Sequence, residues 1–257
     1  MKNRLPLIMT FLGVVLTLGL LALPAAAQGI TIDLGANAEN GTMTGRVIQL
    51  MALLTVLSLA PSILIMMTSF TRIVVVLSFL RTAIGIQQTP PNTVMISLAL
   101  FLTLFIMTPT LQAAYDNGIV PLINEEIDEP VAFERTVEPF RLFMLQHVRA
   151  EDLQLFTDLS KLGPFEDEKA VPLRVLIPSF MISELRRAFE IGFMLFLPFL
   201  IIDMVTASIL MAMGMMMLPP VTISLPFKII FFVLVDGWHL ISGSLIQSFE
   251  TAPIPPG

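Results

Sequence analysis

Met211-Ala-Met-Gly-Met-Met-Met-Leu-Pro-Pro220 lies near the C-terminal end of the chain, between two long apolar stretches. Five of the seventeen methionines fall in its first seven positions. A glycine and a proline pair, the residues least suited to continuing a helix, interrupt it. Irregular backbone of this kind cannot face lipid, where its amide and carbonyl groups would go unpaired, so it is buried in protein or lines a cavity. Methionine is unbranched and soft, and adapts to partners of differing shape. The stretch therefore predicts a helical hairpin whose turn is a deformable apolar seal. The alternative is a Met-rich turn that merely packs against a neighbour.

Composition agrees with a membrane setting. Of 257 residues, 55% are hydrophobic and 13% charged, with a mean hydropathy of +0.86, against roughly 25% charged in ordinary soluble domains. There is no cysteine, which excludes disulfides, thiolate-bound metals and thiol catalysis. The net charge of −6 is unevenly placed, since thirteen of the twenty acids lie between Asp116 and Glu168. No basic stripe exists, so nucleic acid is not an expected partner.

The N-terminus reads as a signal peptide over residues 1–27. Lys2 and Arg4 form a positive n-region, Leu5 to Leu23 an apolar core, and Ala25-Ala26-Ala27 a small-residue cleavage site. Cleavage after Ala27 would leave Gln28 first. An uncleaved first membrane helix is the other reading. Residues 28–45 look like an exposed leader.

Residues 46–111 hold two hydrophobic segments. Val47 to Phe70 carries no charge, Pro61 should kink it, and the stretch from 47 to 85 is either a broken helix pair or one long bent helix. Val94 to Met107 is the second segment, expected to end near Pro109. Residues 112–180 form an acidic but ordered helical region: Thr136 is expected to cap one helix with Pro139 in its first turn. Phe140, Phe143, Met144 and Val148 would share a face of it, and Leu155, Phe156, Leu159 and Leu162 a face of the next. Residues 181–250 form a hydrophobic hairpin around the Met-rich loop, opened by Ser183-Glu-Leu. Here Glu184 with Arg187, and Arg186 with Glu190, are spaced to meet on a helix. Residues 251–257 are a tail.

Hydropathy thus predicts four span-like segments after signal removal. The positive-inside rule puts Arg72 and Arg81 inside and the acidic region outside. The last hairpin fits badly: Arg174, Arg186 and Arg187 flank its outer start, whereas its inner turn near Met215 has no positive charge. Its apolar faces are therefore candidates for burial against other subunits.

Asp203, Lys228 and Asp236 interrupt apolar helices, where an isolated charge costs about 2.5–3.5 kcal/mol on insertion scales. They are read as paired within or between subunits, or facing a watery lumen, with an ion or proton relay as the alternative. Neither aspartate has the Gly-x-Gly-Asp turn of an intramembrane aspartyl protease. The two histidines, His147 and His239, form no metal motif in cis, and no nucleophile elbow or nucleotide-binding loop occurs. The sequence predicts no enzyme, no metal and no cofactor.

Several blocks then carry a resemblance. They are Thr68 to Arg81, Gln87-Gln-Thr-Pro-Pro-Asn92, Ser183-Glu-Leu and Phe196 to Asp203, followed by Met213 to Pro220, Leu225-Pro-Phe-Lys-Ile and Val235-Asp-Gly-Trp238. In this order, from about residue 46 to 250, the chain resembles the FliP family of flagellar type III export-gate components. The resemblance implies an all-α membrane-associated fold of long kinked hydrophobic hairpins with a small helical periplasmic domain. It implies assembly into a helical oligomer of about five copies at the bacterial inner membrane, in the flagellar basal body. The implied partners are the Q and R gate components, the A and B export components and unfolded flagellar proteins. It also implies a gasket of Met215, Met216 and Met217, with Met213 beside them, and no catalytic site. The signal-bearing form favours the flagellar branch over virulence-type systems. A small-ion or solute transporter using Asp203, Lys228 and Asp236 remains the reading from another class.

Overall fold

A computed structural model describes residues 43–86, 88–161, 165, 170–215 and 217–250. The signal segment with Ala27 and Gln28, Met216, Leu162 and the tail lie outside them. Every regular element among the described residues is helical, and the chain is an all-α membrane protein. It divides into two units, residues 1–54 and 55–257. In the first, the described part is helix alone, and it starts at Met43, inside the expected leader.

The stretch from 47 to 85 is a broken pair. Helix α1 (Met43–Met66) runs through Pro61 and is followed, after Met67–Ser69, by α2 (Phe70–Ile84). Ile73, Val76, Leu77, Leu80 and Ile84 recur at three- and four-residue intervals along α2, and all are buried. Its β-branched valines cost a little helix propensity. Burying each such side chain returns about 1.5–3 kcal/mol, which decides the outcome.

Helix α3 (Asn92–Ala114) does not stop at Pro109. It continues through a π-helical turn at Tyr115–Ile119 into α4 (Val120–Ile123). An interior proline costs about 3 kcal/mol, but ending the helix in an apolar setting would strand several backbone groups at once. Helix α5 (Glu129–His147) starts eight residues earlier than Thr136 as a cap suggests, after Asp128 and with Pro130 in its first turn. Thr136 instead donates to the Ala132 carbonyl at 2.7 Å. Phe140, Phe143 and Met144 are buried on one face, as their spacing requires, with Val148 packed beside them. In α6 (Ala150–Ser160) the expected face divides: Phe156 and Leu153 pack inward, whereas Leu155 and Leu159 are exposed.

Helix α7 (Leu173–Ala212) has forty residues and passes Pro178 and Pro198. Ser183 is therefore in the body of a helix and opens nothing, and no helix end falls at residue 180. Forty residues reach about 60 Å, twice the roughly 30 Å hydrocarbon core of a bilayer. The half carrying Glu184, Arg186, Arg187 and Glu190 lies against α6, and the half after it has Asp203 as its one charge. The last apolar segment is two helices, α8 (Pro220–Leu234) and α9 (Gly237–Glu250), bent by 63°. By length and composition, residues 92–123 and α7 can each cross a membrane, and α8 with α9 count as a third only if the bent pair is one span rather than a re-entrant turn. The four simple spans read from hydropathy are thus two among the described residues, or three with the bent pair.

Two cores hold residues 55–257 together. One joins α2 to α3, α7, α8 and α9 through Ala99, Ala188, Phe199, Phe232 and Leu245. The other joins α5 to α7 and the end of α9 through Phe140, Phe143, Leu176, Phe180 and Phe249. A close approach ties α7 to α2 at Gly192, where a Cβ would stand 2.5 Å from Cδ2 and 2.7 Å from Cγ of Phe79. Phe79 is itself held edge-on by Phe189, ring centroids 5.0 Å apart. Gly192→Ala should gain about 1 kcal/mol of helix propensity and lose about 1–3 kcal/mol to overpacking. A lower thermal midpoint of the detergent-purified variant is the expected result, and an equal or higher one would show that Phe79 yields freely.

Candidate functional site

The methionine turn has a defined backbone. Helix α7 ends at Ala212, Met213 follows as its cap, and Gly214 takes φ +73°. The Gly214 N–H donates to the Met211 carbonyl at 3.1 Å and the Met215 N–H to that of Leu210 at 3.0 Å. This is the Schellman pair, which satisfies the last free carbonyls of a helix and needs a left-handed residue at its centre. The prolines act on the far side: Pro219 and Pro220 start α8. The turn buries little of its own side chains. Met213 is 66% exposed, Met215 40% and Met217 99%. A protein that leaves its methionines this bare in one chain has not found their partners within that chain.

Behind the turn stand the embedded charges. Lys228 of α8 is buried and donates to Asp203 Oδ2 of α7 at 2.6 Å and to the Ala83 carbonyl of α2 at 3.2 Å. Ser224, one turn before Lys228, is fully buried and donates to the other oxygen of Asp203. The two charges neutralise each other, and three helices share the contact. Asp236 is not part of it. It is exposed at the α8–α9 bend with φ +49°, and its carbonyl accepts the Leu240 N–H.

Glu184 and Arg187 are spaced to meet, yet Glu184 turns the other way. It is wholly buried and takes a two-pronged contact from Arg72 of α2, Nε to Oε2 at 2.8 Å and Nη2 to Oε1. Nη1 of Arg72 donates to the Ser248 carbonyl and hydroxyl at 3.2 and 3.0 Å, and the guanidinium lies 3.6 Å from the centre of the Phe249 ring. Arg187 opposes the Arg72 charge from nearby. Arg186 does pair with Glu190, at 3.1 Å, on the surface, where such bridges contribute at most about 1 kcal/mol. Ser183 accepts the Arg149 N–H at 3.0 Å and donates to Asp152 at 2.7 Å, fastening α6 to α7.

His147 adjoins this knot. Its Nδ1 lies 2.7 Å from the Phe143 carbonyl and its Nε2 3.2 Å from that of Phe249, with both rings packed on it. Burial lowers its pKa, while the two carbonyls and Glu184 pull the other way and Arg72 adds to the lowering. Sequence reasoning passed over Arg72, Ser224 and His147 as site residues. Arg72 carried the available signal, a lone charge inside an apolar helix, as Lys228 does. Among the described residues no group of acids and histidines could hold a metal ion.

Comparison with known proteins adds the following. A sequence model described as the FliP family matches residues 53–245. The flagellar biosynthetic protein FliP of Caulobacter vibrioides is 60% identical over 231 residues, 89% of this chain and 86% of its own. Its namesake from Rhizobium meliloti is 52% identical over 88% of this chain and 93% of its own. That of Bacillus subtilis is 54% identical over 86% and 98%.

Removing one member of a buried ion pair strands the other, at about 3–5 kcal/mol. Arg72→Ala and Glu184→Ala should each lower the protomer's own stability by that much, and Arg72→Met with Glu184→Leu should recover most of it. Thermal unfolding of the purified chain measures all three. For His147, the unfolded ring takes a proton near pH 6.5 and the folded ring only at lower pH. The unfolded state therefore binds more protons as pH falls, and stability drops. The thermal midpoint should fall between about pH 7.5 and about pH 5.5, more steeply than in His147→Gln.

Proposed function

The chain belongs to the FliP family, and from that membership we propose that it is a pore-forming subunit of the flagellar type III export gate, closed at rest by its methionine turn. Membership itself gives a role in flagellar protein export and a place in the membrane beside other export components. The finer reading is a helical homo-oligomer of about five copies. It stands in the inner membrane with Q and R components at its side and the A and B components feeding it. Residues of the 112–180 region would lie on the periplasmic side. Unfolded flagellar proteins would pass through it.

The observation that carries this reading is the Schellman turn that holds Met213, Met215 and Met217 bare at the end of a forty-residue apolar helix. Thioether chains from several copies can close on one another without a fixed fit, then yield to a polypeptide of any sequence. An ion-path transporter is supported less well. It needs Asp203, Lys228 and Asp236 on one aqueous route, and the first two neutralise each other while the third is exposed at the bend.

Met215, Met216 and Met217 changed together to alanine should leave assembly intact and let small ions leak through the resting gate. Leucine at the same positions should seal better than alanine, because volume is kept. Conductance across membranes holding assembled gates is the measurement, and a tight triple-alanine gate would reject the gasket.

A further inference from the structure

Of the two charges in the Thr68–Arg81 block, Arg81 is the one outside the buried contact of Arg72 with Glu184. It closes the last turn of α2 and donates to the Asn92 side-chain oxygen and to the Pro90 carbonyl at 3.5 Å. Both acceptors are neutral. Among the described residues Arg81 makes no ion pair, in contrast to Arg72 one face away on the same helix. Its positive charge is therefore uncompensated and partly exposed.

Beneath it opens a cavity of about 260 Å³, lined chiefly by Leu80, Ile84, Met95, Ile229, Phe232 and Trp238. Among the described residues Arg81 is the one charged side chain in that lining. A water-soluble metabolite is poorly served, since small-molecule pockets offer several converging polar groups and typically about 300–1,000 Å³. An apolar tail under an anionic head fits both halves. The depth is right as well. Asn92, which Arg81 touches, is the first residue of the 92–123 segment that can cross a membrane. Taken as a crossing, that segment puts the site at its end, where headgroups lie. Trp238, 39% exposed beside the cavity, is the side chain most at home at that level.

We propose that this site binds an anionic glycerophospholipid of the surrounding membrane, its phosphate on Arg81 and part of one acyl chain in the slot between α2 and the α8–α9 bend. Basic side chains at the mouths of apolar clefts between membrane helices recognise headgroups in this way. A bound lipid would brace the bend, because Phe232 and Trp238 of its two arms line the same slot.

The test uses the full chain in nanodiscs of phosphatidylcholine containing a minor share of phosphatidylglycerol, with lipid retention read by native mass spectrometry. One phosphatidylglycerol per protomer should survive release from the disc. Arg81→Gln should reduce its retention on the order of tenfold, the scale of one charge-assisted hydrogen bond, and Arg81→Lys should keep most of it. Ile229→Trp, which fills the slot and leaves Arg81 in place, should also lose the lipid. Circular dichroism and elution volume of each variant check that it is folded. Equal retention of the two lipids would overturn the proposal, as would an unchanged result for folded Arg81→Gln or Ile229→Trp. Retention by protomers that vanishes on oligomer formation would overturn it too, and would assign the slot to a neighbouring subunit's side chain.

Discussion

The buried contact between Arg72 and Glu184 is where four helices become one object. Arg72 comes from α2, Glu184 from the polar half of α7, and Ser248 and Phe249 from the end of α9, with His147 of α5 against the same ring. Taking two charges out of water is costly, and their attraction offsets that cost only if geometry is good and the remaining donors are satisfied. Here the guanidinium spends its donors on a carboxylate, a hydroxyl and a carbonyl, and its face on an aromatic ring. An apolar core of similar volume could match it in stability but would tolerate sliding. The ion pair sets the register of α2 along α7, and with it the height of everything α7 carries.

Lys228 and Asp203 repeat the device about five turns further along α7, bringing in α8 and the Ala83 carbonyl of α2. The two pairs pin α2 to α7 at both ends. Gly192 lies between them, letting the ring of Phe79 come nearer than a methyl group would allow. A helix fixed at two heights transmits its position to its end, and the end of α7 is the methionine turn. The proposed seal can be soft in its side chains because the backbone that presents it is held by charges, close packing and a left-handed glycine.

Much of the remaining surface is apolar. Ile201, Met204, Val205 and Ile209 on α7, and Phe227, Ile230, Val233 and Leu234 on α8, are exposed in the single chain. Soluble monomers rarely expose continuous apolar surface on this scale. In a membrane protein such faces meet lipid or another subunit, which is also why two cores of modest size suffice for so hydrophobic a chain.

The sequence by itself determined the class of the molecule, the methionine turn and the residues that need explaining. Composition placed the chain in a membrane setting. The spacing of Phe140, Phe143 and Met144 fixed a buried face, since helical period is a local property. Met213, Gly214 and the prolines marked the turn. Element ends were less legible: Pro109, Pro178 and Pro198 lie inside helices because packing and an apolar surrounding outweigh a local preference worth about 3 kcal/mol. Thr136 was a cap by type but not by position, for the same reason. Partnership was the least legible. Glu184 has Arg187 within reach on its own helix and takes Arg72 from 112 residues away, while Lys228 takes Asp203 from 25 residues away. Local spacing states which pairs can meet. Only the tertiary structure decided which do, because a buried charge goes to the partner that burial brings to it, and burial is settled by the whole chain at once.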